Sequence, residues 1–135
     1  MTDVTGKQEI KFLLETDNGS NDTYVHSYEL YYIGDIPETP TAKPTAAPTA
    51  KPTVAPTAGP QLVSSGECST MTHGGQYAGP SNKLGFSAMA LYGNGDYCST
   101  SYTFTGTNKK YRMVVKGASD NSSTAGVSVY IGGKK

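Results

Sequence analysis

Neither sign of charge is in excess in this chain: eleven Lys and Arg balance eleven Asp and Glu, the formal net charge is zero, and no basic stripe runs along it. That lack excludes the electrostatic footprint of a nucleic-acid binder. No apolar run is long enough to span a bilayer, so no membrane partner is expected, and Met1 does not open a signal peptide. No stretch carries a helical period. Cysteine is down to Cys68 and Cys98, and neither has companions at zinc-ligand spacing. Large apolar side chains are almost missing from the middle, where prolines stand at 40, 44, 48, 52, 56 and 60 in a Thr, Ala and Lys background relieved by Val54.

A segment of that kind cannot bury enough surface to offset its ordering entropy, and its prolines favour the extended polyproline II form, reaching ~3.1 Å per residue. Residues 37–62 are therefore expected to be a semi-rigid spacer between two pieces, 1–36 and 63–135. Thr and Pro together are typical of glycosylated linkers in secreted modular enzymes. With ten tyrosines and abundant Gly, Ser, Asn and Thr, the composition points to an extracellular protein. The absent signal sequence then implies a piece of something longer.

Both flanks read as strands. Ile10, Phe12 and Leu14 alternate with polar neighbours, the period of a half-buried strand, and Tyr28, Leu30 and Tyr32 share one face of a run from Tyr24 to Ile33. After the spacer come Ala88 to Tyr92, Tyr97 to Phe104, a run in which Tyr111, Met113 and Val115 alternate with Lys110, Arg112, Val114 and Lys116, and another with Val127, Val129 and Ile131. Gly, Asn, Asp and Ser punctuate the gaps, as at Gly93 to Asp96. The spacing predicts an all-β, antiparallel β-sandwich. Two strands and a loop are not stable alone, so the first piece needs a partner sheet.

The loop Asp17, Asn18, Gly19, Ser20, Asn21, Asp22 packs carboxylates and short oxygen donors between two strands. A bend at Gly19 can turn Asp17 and Asp22 toward one point, with the carbonyl of Asn21 between them. Calcium takes about six to eight oxygens, so such a site is left unsaturated, and neighbouring hydroxyls of a sugar can fill the open positions. The other reading is an Asx-rich turn without metal. The loop is not an EF-hand, since no glutamate closes it. Sequons at Asn18, Asn21 and Asn121 matter only in a glycosylating host. Cys68 and Cys98 are expected to form a disulfide, adding about 3 kcal/mol by the chain-entropy account; two buried free thiols are the alternative. His26 and His73 have no metal-ligand spacing. Glu9, Glu15, Glu29 and Glu67 could supply carboxylates for glycoside hydrolysis, but nothing singles out a pair, and the chain is expected not to be an enzyme.

Four separated stretches, TGKQEIKFLLETDNGSNDTYV (Thr5 to Val25), GGQYAG (Gly74 to Gly79), ALYGNGDYCS (Ala90 to Ser99) and VKGASDNSSTAGVSVYIGG (Val115 to Gly133), resemble family 36 carbohydrate-binding modules. The resemblance implies a jelly-roll-like sandwich that binds xylan through calcium and is attached to the catalytic domain of a secreted xylanase or related hydrolase. It also implies Asp17, the Asn21 carbonyl and Asp22 as calcium ligands, and Tyr77 and Tyr92 as the sugar-contacting rings. Asn21 stands where the family has an aromatic residue, which removes one stacking surface. A second, structural calcium ion is common in related sandwiches, and Glu67 is placed to bind it, but Ser69 and His26 stand where further carboxylates would be. The order is unusual, because the TGKQEIKF segment belongs at the C-terminal end of such a module. Either the chain spans the tail of one module and the front of the next, the expected arrangement, or it is permuted like the related family 60. In both cases the first piece is expected to dock on the second, within one chain or by strand exchange in a dimer. A calcium-stiffened repeat of a bacterial surface adhesin is the alternative from a different class.

Overall fold

A computed structural model describes residues 4–15, 22–36, 59–119 and 126–135. The strands are β1 (Gly6–Glu15), β2 (Thr23–Asp35), β3 (Gln61–Glu67), β4 (Thr72–Gly74), β5 (Gly79–Ser81), β6 (Ala88–Leu91), β7 (Tyr97–Phe104), β8 (Lys109–Ser119) and β9 (Gly126–Ile131). A single 3₁₀ turn, Cys68–Thr70, interrupts them. The predicted all-β sandwich is what forms: one sheet runs β4-β7-β1-β9, and the other carries β3, β2, β6 and β5 with β8 paired to β2, every pairing being antiparallel. The third strand starts at Gln61, so Gln61 and Leu62, assigned to the spacer from sequence, belong to the sandwich. Most of the proline segment, 37–58, lies outside the described residues. Among the described residues no helix is long and apolar enough to cross a membrane.

The two flanks of the spacer build both sheets together. Strand β1 lies between β7 and β9, from Gly6 opposite Phe104 to Glu15 opposite Gly126. Strand β2 pairs along nearly its whole length with β8, and on its other edge with β3 and β6 in succession. Each is thus an interior strand. The cause is the alternation read above: Ile10, Phe12 and Leu14 are fully buried, and Tyr28 and Leu30 meet them from the facing sheet. At roughly 1.5–3 kcal/mol for each large apolar side chain taken from water, β1 alone brings several kcal/mol of driving force to the docking.

A second, smaller cluster was not read from the sequence. Tyr24 packs with Ala88 and Ala90, and Leu84, Phe86 and Tyr92 close over it. A register shift between Val25 and Ser27 puts Val25 on the same face as Tyr28, in the main core, and leaves Tyr24 on the opposite face, where the smaller cluster covers it.

The expected disulfide is corrected: Cys68 and Cys98 are free thiols, both fully buried in the main core. Here they act as small apolar side chains. A hydrogen bond with Cys98, reinforced by burial, pushes the Cys68 thiol far up from its ordinary range. Neither thiol meets solvent, and a thiol buried in apolar surroundings is inert. The native chain should therefore resist iodoacetamide at neutral pH, with both cysteines labelled once it is unfolded in denaturant; mass spectrometry showing fast labelling of either one in the native state would contradict this.

Polar rungs fasten the outer faces. Glu15 accepts hydrogen bonds from the Lys135 ammonium, from Ser128 Oγ at 2.5 Å and from Tyr130 Oη at 2.6 Å, joining β1 to β9. These donors hold its carboxyl down to about 2. Glu29, bonded by Tyr31 and Lys116, and Asp35, bonded by Tyr32 and Lys109, are lowered in the same sense and join β2 to β8. A carboxyl that is more acidic folded than unfolded stabilises the fold above its unfolded pKa, and the contribution fades as pH falls through the folded value. Thermal melts of the wild type and Glu15→Gln should therefore differ most above pH ~4.5, the ordinary carboxylate value, and converge as pH falls toward ~2. A gap independent of pH would remove Glu15 as the titrating group.

Candidate functional site

Four strand ends meet at one end of the sandwich. Strand β1 leaves it at Glu15, and β2 enters it after Asp22, so the acidic loop opens and closes there. Strand β6 arrives with Leu91 opposite Thr23, and β7 departs with Tyr97 opposite Leu13. Between β6 and β7 lies the tight turn Gly93–Asp96, closed by the Asp96 amide donating to the Gly93 carbonyl at 3.0 Å. Main-chain bonds fix this turn to β1: Leu14 N–H donates to Asp96 O at 2.9 Å, and Gly95 N–H donates to Leu14 O at 3.0 Å.

The carboxylate of Asp96 is fully buried and points back into the turn. Its Oδ2 accepts the main-chain N–H of Tyr92 at 3.0 Å and of Gly93 at 2.9 Å, and its Oδ1 accepts the N–H of Tyr77 at 3.2 Å. Burial of a charge in this way demands such donors. Gly75 shows how tightly the carboxylate is enclosed: its φ is +108°, and a Cβ there would stand 2.2 Å from Asp96 Oδ1. Gly75 is therefore a steric requirement of the turn that presents Tyr77, while a Cβ on Gly74 would stand 2.7 Å from the Tyr97 hydroxyl.

Tyr77 is exposed, with 56% of its surface in solvent. Tyr92 is half-buried. Its ring meets Tyr24 edge-on at 6.1 Å between centroids, and the two hydroxyls are 3.4 Å apart. The structure thus brings the two tyrosines named from sequence to the end of the sandwich where β1 stops and β2 starts. Of the expected metal ligands, Asp22 is the one that falls among the described residues; Asp17 and Asn21 lie outside them. Asp22 Oδ2 is 3.8 Å from the Lys83 ammonium, which also stands 6.0 Å over the Tyr24 ring. Its carbonyl accepts the Ser119 hydroxyl at 2.9 Å, tying β2 to the end of β8.

Where a second calcium ion was considered, Glu67 Oε2 faces His26 Nδ1 at 3.4 Å, and that nitrogen also donates to Ser87 O at 2.7 Å. Among the described residues no three His, Cys, Asp or Glu side chains gather as a metal cage. A groove of about 570 Å³ on another flank is lined by Glu9 and Glu67 together with Ser and Thr hydroxyls. Both carboxylates are about half exposed, Glu9 with the Lys11 ammonium at 3.6 Å and Glu67 with the His26 ring at 3.4 Å.

Sequence reasoning missed Asp96 and Lys83. An Asp after Gly-Asn-Gly is ordinary turn composition, and a lone Lys in a hairpin is ordinary surface, so no signal in the string separated either from its background.

No protein-family model matches the chain, and no solved structure matches it. Among proteins of known activity it is similar to an arabinoxylan arabinofuranohydrolase of Paenibacillus polymyxa, 41% identical over 71 residues. The aligned part is 53% of this chain and 11% of that protein, so the chain spans a small fraction of the relative it matches.

Proposed function

We propose that this chain is a non-catalytic carbohydrate-binding module that recognises xylan through a calcium ion and holds an attached glycoside hydrolase on plant cell-wall polysaccharide. The observation that carries the reading is the convergence, at one end of the sandwich, of both ends of the acidic loop with Tyr77 and Tyr92. Asp17, the Asn21 carbonyl and Asp22 would hold the metal, and the sugar's own hydroxyls would complete its shell. A tyrosine offers an apolar face to the C–H side of a pyranose and a hydroxyl for hydrogen bonding, with few rotors to immobilise. Exposed Tyr77 is the more available platform, while Tyr92, braced by Tyr24, presents a fixed edge. The relative's name supports arabinoxylan as the polymer class. Tethering raises the effective concentration of substrate around a linked catalytic domain. Action outside the cell follows from the insolubility of such a polymer.

Affinity electrophoresis through a native gel containing soluble xylan should retard the chain with calcium and leave it unretarded with a chelator. Calcium that raises the melting temperature without any retardation would favour the structural repeat of an adhesin; reducing-sugar release from xylan would show an enzyme.

Lys83 bears on the same site. Its ammonium competes with the metal for Asp22, and a surface pair of this kind is worth up to ~1 kcal/mol. Lys83→Met should tighten calcium binding by up to about fivefold in titration calorimetry. Unchanged affinity would argue that Asp22 is no ligand.

A further inference from the structure

We infer that Asp96, which touches no ligand itself, is the positioning residue that sets the spacing and direction of Tyr77 and Tyr92; this rests on the xylan-binding reading above. Tyr77 has little side-chain packing to hold it. It sits in a Gly-rich connection, more than half exposed, and a methyl group on Gly93 would already come within 3.1 Å of its ring. What fixes its main chain on the turn side is the N–H bond to Asp96 Oδ1. The main chain of Tyr92 is held by the other oxygen of the same carboxylate, and the Gly93 bond locks the chain direction immediately after it.

The two tyrosines are therefore referred to one rigid, planar group that no solvent reaches. The main chain of Asp96 is in turn bonded to β1, its carbonyl accepting the Leu14 N–H. One carboxylate thus relates the two rings that must match a glycan at once. Preorganisation of this sort appears as affinity, because the ligand need not order the site on binding.

Two variants test the role. Asp96→Asn replaces one acceptor oxygen by an N–H₂ group facing a main-chain donor. Asp96→Ser, smaller and neutral, keeps one acceptor for the turn and adds no clash, which keeps the test open should Asp96→Asn fail to fold. The readouts are xylan affinity by affinity electrophoresis in calcium, calcium affinity by titration calorimetry, and the melting temperature. Both variants should weaken xylan binding by about tenfold or more while calcium affinity stays within about twofold, the split expected when only the preorganised rings are disturbed. A folded variant that lost melting temperature yet bound xylan like the wild type would reduce Asp96 to a structural residue and overturn the inference. Wild type that is not retarded by xylan would instead overturn the functional reading, and this role with it.

Discussion

A buried carboxylate with three main-chain donors is the constraint from which the functional end of the molecule follows. Asp96 cannot reach water, and each of the amides it binds would otherwise need another partner. Leaving one buried amide unsatisfied costs about 1–3 kcal/mol, so the turn, the Gly75 approach and the placement of Tyr77 form one cooperative unit. Neither the turn nor Gly75 can change alone. The Asp96 carbonyl extends the unit to β1, which makes the position of the candidate site a consequence of how β1 docks.

Docking in turn depends on two interior strands supplied from the far side of a proline segment. If β1 were absent, β7 and β9 would be left without the neighbour that joins them, and Phe12 would no longer meet Tyr28, whose ring centroid is 5.8 Å away. The spacer need not be specific for this to work, since closing a longer flexible loop adds only a logarithmic entropy cost. What it must not do is compete for the β1 and β2 registers. A chain with proline at every fourth position has no alternating apolar face and lacks amide donors at those positions, so it is poorly suited to pair in either strand's place.

The fold was legible where burial follows period two. Ile10, Phe12 and Leu14, and Tyr28 with Leu30, were placed on inner faces by alternation alone, and they are the residues that meet in the core. The start of β3 was hidden, because Gln61 and Leu62 follow the last proline without any alternation to mark them. Cys68 and Cys98 were close in space, as expected, but two cysteines in a sequence do not state their oxidation; in the core they pack as apolar groups. The Tyr24 cluster was hidden for another reason. Tyr24 and Val25 are both buried because both faces of β2 are covered there, and the register shift that puts Val25 on the face of Tyr28 is announced by no local pattern.

The candidate site was legible in its parts but not in its assembly. Tyr77 stood out among glycines because little around it could bury a ring, and its exposure follows from that. Tyr92, beside Leu91 on a strand, could have been core or surface, and it is half of each because Tyr24 lies beneath it. What joins the two is long-range. A main-chain N–H at 77 and another at 92 find the same side chain at 96, and only the folded turn makes that choice visible. A site built this way draws its precision from main-chain bonds to one buried group, so its ring types can vary while its spacing is kept.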